Sequence, residues 1–589
     1  MESAFATSER SADALSLTGR QWLFRDADER QVLALAQRYG LPDILARILS
    51  ARGVGLEETE QFLNPSLKAT LPDPSHLLDM DAAAERVAGA IMSGERIAIF
   101  GDYDVDGATS SALLARYLRA LSADPILYIP DRMKEGYGPN SAALLALKER
   151  GATLVITVDC GTLAFEPLQV AHEAGLDVIV IDHHAGEAQL PNAYGVVNPN
   201  RLDETSLHRQ LAAVGVAFLL IVAINRKLRS IGREVPDPKQ WLDLVALGTV
   251  CDVVPLIGVN RALVAQGLKV MALRGNLGLR TVLDMAAVSE KPGVYHAGFV
   301  IGPRINAGGR VGKSDLGVRL LVTEDEAEAL MLARELDQYN AERKSIEAAV
   351  LEQAMAQAEA ADTSASFLMV AGAGWHPGVI GIVAGRLKER FHKPAAVIAI
   401  DGGIGKASAR SVSGVDIGAA VIAARQAGIL SAGGGHAMAA GFTVEETKIP
   451  ALKEFFASRL RLPEGETHAA RRLFIDGAIS VGGATAEFAE QLERLGPFGQ
   501  GNPQVRLVIQ NAVNLKPEWT TSGEHLKTLL IDRLSNARLS AIAFRAANTK
   551  LGDALMVTRG KGISIAGQLR LSEWNGKPQV SLHIEDIAI

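Results

Sequence analysis

Between residues 95 and about 260, short apolar runs alternate with longer segments of helical period. The runs Ile97–Phe100, 126–129, Thr153–Val158 and Asp177–Ile181 read as buried strands, with helices over 111–121, 141–149 and 165–174. Strand and helix in alternation predict a doubly wound, parallel α/β sheet. An amphipathic helix over 81–93 leads into its first strand. From Thr323 the pattern changes. Thr323-Glu-Asp-Glu326 reads as a capping box, with Thr323 at the N-cap and Glu326 at N3, and neither Pro nor Gly interrupts the chain from there to Ala361. A helix of that length would span roughly 50 Å and reads as a connector between two lobes. A second α/β unit follows, with strand-like runs at Phe367–Val370 and Ala395–Ile400. Beyond residue 471, short strand-like segments recur at 472–476, 505–513, 526–532, 538–544, 563–570 and 578–584. Trp574-Asn-Gly-Lys577 is a hairpin signal between the last two. Several short strands joined by turns predict a small barrel, and an OB-fold fits.

These patterns divide the chain at 1–80, 81–322, 323–361, 362–465 and 466–589. A length of 589 residues agrees with several cores rather than one. Residues 1 to about 20 are rich in Ser, Ala and Thr without periodicity and read as disordered. Two helices are expected at Arg30–Tyr39 and Asp43–Ala51, and the segment 1–80 as a whole reads as a leader. Two cysteines exclude a disulfide framework and fit a reducing, cytoplasmic setting. No signal peptide or membrane-spanning apolar run is legible. The formal net charge of −7 does not advertise a nucleic-acid binder. An acidic metal site would itself contribute to that charge, so the total decides little. Residues 471–589 hold 14 Lys and Arg against 11 Asp and Glu, a shift towards basic. Phe498, Trp519 and Trp574 there could stack on bases or fill the barrel's core.

The candidate chemistry begins after the first strand. Asp102, Asp104 and Asp106 alternate, and in extended chain all three would face one way. Three carboxylates on one face need water or a divalent cation to compensate them. Two further strands run into Asp159-Cys-Gly-Thr162 and Asp182-His183-His184, at the carboxyl ends where open parallel sheets gather ligands. Asp252 follows an apolar helical segment. Asp and His donors suit hard or borderline cations such as Mn²⁺ or Mg²⁺, and the neighbouring cysteines read as buried fillers. Arg132–Pro139 is a glycine-rich loop, either a surface turn or substrate-facing. Ile301–Arg310 sets Arg304, Asn306 and Arg310 among glycines, which suits phosphate oxygens or a tight turn with exposed charges. Gly402–Lys406 is not a P-loop, because position 400 is Ile and Ala407 follows the lysine.

Taken together, Asp-Tyr-Asp-Val-Asp-Gly, Val-Asp-Cys-Gly, Asp-His-His and Thr-Val-Cys-Asp-Val-Val-Pro resemble the motifs of the DHH phosphoesterase superfamily. Within it, the long connector, Gly433-Gly-Gly-His436, and the loop Leu495–Pro503 before the barrel resemble bacterial exonucleases specific for single-stranded DNA. The resemblance implies a DHH catalytic domain, a DHHA1-like substrate-binding domain and a nucleic-acid-binding OB barrel. It implies two-metal hydrolysis from the 5′ end to mononucleotides, in DNA repair and recombination. By the same resemblance Asp159 bridges two ions. Asp102 and Asp104 hold one; Asp106, His183 and Asp252 hold the other. Asp182 orients the histidines, and His184 contacts the scissile phosphate. Arg304, Asn306, Arg310, Ser408, Arg410, Gly434, Gly435 and His436 would line the path of the DNA end. A single-strand-binding protein and a helicase are implied partners. The alternative is a phosphodiesterase for short oligoribonucleotides or cyclic dinucleotides. Relatives of that kind generally lack the barrel. A decayed, non-catalytic scaffold would have lost carboxylates, and every expected one is present.

Overall fold

A computed structural model describes residues 15–131, 134–360, 365–461, 472–574 and 577–589. The chain divides into two compact units, one of residues 71–467 and one uniting 1–70 with 468–589. In the first, strands Ile126–Tyr128, Ile97–Gly101, Leu154–Val158, Asp177–Ile181 and Gly195–Val197 form, in that order, an all-parallel sheet. Ile97–Gly101 and Leu154–Val158 are buried along their whole length, as parallel strands covered on both faces must be. The edge strand Gly195–Val197 was not legible, since three apolar residues carry no period.

The connector helix runs from Glu326 to Ala360. Its start corrects the expected capping box. Asp325 caps it, accepting from the amide of Glu328 at 2.8 Å. The Thr323 hydroxyl instead accepts from Asp325 N at 3.2 Å and donates to the Glu328 carboxylate at 2.6 Å. Beyond it, strands Ala432–His436, Ala439–Glu445, Ile404–Arg410, Ala395–Asp401 and Leu368–Ala373 make a mixed sheet. Only the pair of Leu368–Ala373 with Ala395–Asp401 is parallel.

In the other unit, strands Leu507–Asn514, Gly562–Trp574, Lys577–Ala588, Arg538–Ala543 and Leu526–Ile531 are neighbours in turn. The last closes back on the first through Val513 and Ile531. This is a closed five-stranded barrel. The Asn575-Gly576 turn lies outside the described residues, as do residues 1–14. Residues 15–20, expected to be disordered, are ordered: Thr18 donates to Asp586 at 2.7 Å, and Ser16 N bonds the Arg20 carbonyl. Strand Gln21–Phe24 pairs in parallel with Arg472–Ile475. Helices Glu29–Tyr39 and Asp43–Ala51 bury Val32, Leu35, Leu45, Ile48 and Leu49 in the same core as Leu507, Leu526 and Ile565 of the barrel. Most of the segment expected as a leader, up to residue 70, therefore belongs to the barrel unit and contributes to its core.

Candidate metal centre

The chain turns into a helix sooner than the apolar period suggested. The helix Val105–Ala120 begins immediately after Asp104, so the expectation of three aligned carboxylates on extended chain is corrected. Gly107 allows this, because a Cβ there would stand 2.4 Å from the Asp102 carbonyl oxygen. Asp102 is buried directly after its strand. Asp104 caps the helix, accepting from Gly107 N at 3.1 Å. Asp106, in the first helical turn, accepts from the amides of Ala213 at 2.7 Å and Val214 at 2.9 Å.

Asp159 follows its strand with φ 61, in the left-handed region that costs most residues energy. Its carbonyl accepts from the Tyr137 hydroxyl at 2.9 Å. Asp182 accepts from the amides of Thr162 at 3.0 Å and His183 at 2.7 Å, and bonds His184 Nδ1 at 2.7 Å. Asp252 closes the helix Leu242–Cys251, and Val253 after it has φ 60, an outlier for a β-branched residue.

Together these elements bring three donor sets into register. Asp102, Asp104 and Asp159 offer donor atoms within 4.8 Å of one another, as do Asp106, His183 and Asp252, and as do Asp159, His183 and His184. His183 Nε2 lies 3.3 Å from Asp159 and 3.8 Å from Asp106, and its Nδ1 lies 3.7 Å from Asp252. Asp159 Oδ1, His183 Nε2 and Asp252 Oδ2 are buried atoms without a hydrogen-bond partner among the described residues. Orphaned buried polar atoms of this kind are expensive unless something else meets them.

The electrostatics agree. Burial, then the charges of Asp104, Asp106, Asp102 and Asp252, pushes the Asp159 carboxyl well above its ordinary range. Burial followed by Asp106 and Asp104 pushes Asp252 up to about 9. Burial and Asp104 push Asp106 up to about 7, against its two backbone donors. Burial and the charge of His184 pull His183 down to about 4, so its ring stays neutral with a lone pair to offer. For His184 burial acts downward, but the bond to Asp182 prevails and raises it to about 9. Asp182 is the counterpart: burial acts upward, yet the His184 bond and the charges of both histidines hold it below the ordinary range. The donor set of carboxylates and neutral imidazole therefore fits divalent cations such as Mn²⁺ or Mg²⁺. Cys160 and Cys251 lie outside all three sets, and burial pushes both thiols up.

Sequence reasoning passed over three residues here. Tyr137 belongs to the Arg132–Pro139 loop, of which Arg132 and Met133 lie outside the described residues. Asn198 donates to the His184 carbonyl and the Thr162 hydroxyl, each at 2.8 Å, and Asn200 donates to the His183 carbonyl. Asn198-Pro-Asn200 directly follows the unrecognised edge strand, which was the available signal.

The expected phosphate-binding residues have mixed settings. Ile301–Arg310 is not a turn. One turn of wider helix, His296–Ile301, leads into the helix Gly302–Val311. Gly309 packs so closely on Tyr103 that a Cβ would stand 2.3 Å from its ring. Arg304 donates to Asp337 at 2.9 Å and to the Val300 carbonyl at 2.8 Å. Arg310 donates to the Gly378 carbonyl at 3.0 Å. Asn306 Oδ1 is buried without a hydrogen-bond partner among the described residues. Ser408 and Arg410 share one face of a strand, 3.0 Å apart, beside Gly381 in the first turn of the helix Ile380–Phe391. Gly434, Gly435 and His436 lie on the edge strand Ala432–His436. Burial, then the charges of Arg410 and His184, lowers the pKa of His436, which places it within electrostatic reach of both.

The chain matches the DHH family, N-terminal domain, over residues 96–249, the DHHA1 domain over 364–462 and the RecJ OB domain over 475–586. It is 35% identical over 580 residues to the single-stranded-DNA-specific exonuclease RecJ of Bacillus subtilis, an alignment covering 97% of this chain and 71% of that protein. To the Escherichia coli protein of the same name it is 35% identical over 570 residues, 93% of this chain and 96% of that one. The chain belongs to the RecJ family. The crystal structure of RecJ in complex with Mn²⁺ from Thermus thermophilus aligns with a TM-score of 0.79 at 30% identity, over 96% of this chain and 78% of that chain. The expected order of DHH domain, connector helix, DHHA1 domain and OB barrel stands in this RecJ-family chain. Asp252 lies just beyond the matched DHH stretch, so the candidate donor set of Asp106, His183 and Asp252 draws on residues outside it.

Proposed function

We propose that this chain is a divalent-cation-dependent exonuclease that degrades single-stranded DNA from the 5′ end to mononucleotides, in DNA repair and recombination. One observation carries the reading: three donor sets are linked, Asp159 belonging to two of them and His183 to two, and buried atoms of Asp159, His183 and Asp252 have no hydrogen-bond partner among the described residues. Relatives that bear the name single-stranded-DNA-specific exonuclease RecJ align along nearly the whole length.

Asp102, Asp104 and Asp159 would hold one ion, and Asp106, His183 and Asp252 a second, with Asp159 shared. Two divalent ions, Mn²⁺ or Mg²⁺, supply water activation and charge neutralisation at a phosphodiester. The chain's own residues do the rest. Asp182 holds His184 as a cation beside the centre, where its imidazolium can bond a phosphate oxygen and offset developing charge. Asn198 and Asn200 hold the carbonyls of His184 and His183 and so fix the orientation of both rings. The Tyr137 hydroxyl holds the left-handed Asp159 peptide in place. Ser408, Arg410 and His436, with Gly434 and Gly435 of the edge strand, form the candidate pocket for the 5′-terminal phosphate. Arg304, Asn306 and Arg310 belong to its approach, and Arg304 must there share its guanidinium with Asp337. The barrel holds the rest of the strand.

Single strands arise where duplex is unwound, so a helicase and a single-strand-binding protein are the proposed partners, in the cytoplasm. Among the described residues no helix is long and apolar enough to cross a membrane. The test is digestion of 5′- and 3′-labelled single strands, with duplex and RNA controls, in Mn²⁺, Mg²⁺ and EDTA. The 5′ label should appear first, as mononucleotide, and only with metal. Release of the 3′ label first, or equal cutting of duplex, overturns the reading.

A further inference from the structure

Asn306 stands apart among the residues expected to face the DNA end. Its Oδ1 is buried and has no hydrogen-bond partner among the described residues. A buried acceptor left unpaired is expensive, so a group from outside the chain must meet it. The helix that carries Asn306 shows where.

The wide turn His296–Ile301 sets the phase of that helix. The Gly302 amide donates to the Ala297 carbonyl, five residues back, and the Cys251 thiol donates to the same oxygen at 3.4 Å. One extra residue in a turn rotates everything after it by about 100°. Gly302 comes so close to Cys251 that a Cβ would stand 2.5 Å from its Sγ. Further along, Gly309 packs on the Tyr103 ring. Gly302, Asn306 and Gly309 are at i, i+4 and i+7, which share one face of a helix. Asn306 therefore lies on the face whose two ends rest on Cys251 and Tyr103.

Both resting points are neighbours of metal donors. Cys251 immediately precedes Asp252, of the set Asp106, His183 and Asp252. Tyr103 stands between Asp102 and Asp104, of the set they form with Asp159. Asn306 is thus held between the flanks of both sets. Arg304 lies about 200° round the helix from it. That guanidinium is bonded to Asp337 and the Val300 carbonyl. The two residues, close in sequence, serve different surroundings.

The chemistry of the orphaned atom selects its partner. An amide oxygen accepts and does not donate. Phosphate oxygens accept as well, so they cannot satisfy it. Beside a carboxylate-lined cation site the donor at hand is water on the ions, whose protons the metal charge makes more acidic. We infer that Asn306 is a positioning residue of the metal centre, at the inner end of the approach to the DNA-end pocket, its Oδ1 accepting from water held by the divalent ions. The amide is neutral, so it turns that water without taking its proton. The inference rests on the functional reading above and adds a residue that is neither carboxylate nor imidazole.

The test measures Mn²⁺ binding to the full-length protein without DNA, by the electron paramagnetic resonance of the free ion. Asn306→Ala should weaken binding about tenfold. Asn306→Asp sets a negative charge beside the ions and should tighten it by a similar factor. In EDTA, Asn306→Ala should melt at the wild-type temperature or above, because it deletes an unpaired buried group. On DNA, it should leave the preference for 5′-phosphorylated over 5′-hydroxyl ends unchanged. Unchanged Mn²⁺ affinity in either variant overturns the placement, as does a melting temperature that falls together with the affinity. Loss of the 5′-phosphate preference also overturns it and moves Asn306 to the DNA-end pocket. A wild-type protein that binds no Mn²⁺ would instead overturn the functional reading itself.

Discussion

Both units of this chain bury acids, and they treat them in opposite ways. In the barrel unit, Asp586 accepts from the Thr18 hydroxyl, the Trp22 indole and the Ile587 amide. Asp476 accepts from the Arg506 amide and faces Arg25 at 3.4 Å and Arg52 at 3.6 Å. The chain answers these acids from within itself, and four of the answering groups, on Thr18, Trp22, Arg25 and Arg52, come from the N-terminal segment and fasten residues 18–52 to the barrel. In the catalytic unit, Asp106, Asp159 and Asp252 converge on one another and on a neutral histidine. Among the described residues no lysine or arginine pairs with these three acids. A buried acid met by the chain is structural; several buried acids left facing each other must hold protons or a cation from outside.

The largest expected effect of breaking this contrast is on turnover. Asp159→Asn keeps the side chain's shape, and Asn tolerates the left-handed backbone well. It removes the shared charge and should lower cleavage of single strands on the order of a thousandfold or more at saturating Mn²⁺. Near-normal turnover would show that the centre does not need Asp159.

Next in size is stability, where the two regions should respond with opposite signs. Asp476→Ala leaves Arg52 buried beside Arg25 without its counter-charge and should cost about 3 kcal/mol. Asp159→Asn in EDTA should leave the melting temperature unchanged or raise it, because it removes one of several mutually repelling acids. Equal destabilisation by both variants, measured by calorimetry, would erase the distinction.

A smaller effect is the pH dependence of the metal-free protein. Asp252 at about 9 is raised far above the unfolded value near 4. Between pH 7 and 9 the folded metal-free protein therefore holds protons that the unfolded chain has lost, and its stability must fall as pH rises. His184, raised to about 9, adds in the same direction. The lowered pKa of His183 acts oppositely, but below about pH 6.5, outside this window. Melting temperatures in EDTA should thus decline from pH 7 to 9, while bound Mn²⁺ should remove the decline. A flat profile in EDTA would mean that the acids are already neutralised by the chain.

The smallest effect is at Tyr137. Tyr137→Phe deletes one neutral hydrogen bond to the Asp159 carbonyl and should lower kcat roughly fivefold, with KM little changed. A change confined to KM would make Tyr137 a substrate contact instead.

Much of the candidate metal centre was legible because its residues are local to strand ends. Asp159 and Asp182-His183-His184 each follow an apolar run that could only be a buried strand. The course of Asp102, Asp104 and Asp106 was not legible. Whether the chain stays extended or begins its helix at Val105 depends on how closely Gly107 approaches Asp102, and that is a packing fact. The barrel was visible as alternating short strands, but its partnership with the N-terminus was not. The pairing of Gln21–Phe24 with Arg472–Ile475 joins segments remote in sequence and leaves no local signal.

The central claim is that the acids of the catalytic unit are a two-cation site with Asp159 between the ions. Counting bound Mn²⁺ by equilibrium dialysis with electron paramagnetic resonance, in wild type and Asp159→Asn, tests it most directly. Two ions per chain with spin coupling between them are expected in the wild type, and loss of the coupling with at least one ion in the variant. A single uncoupled ion in the wild type, or two ions bound unchanged in Asp159→Asn, would contradict it.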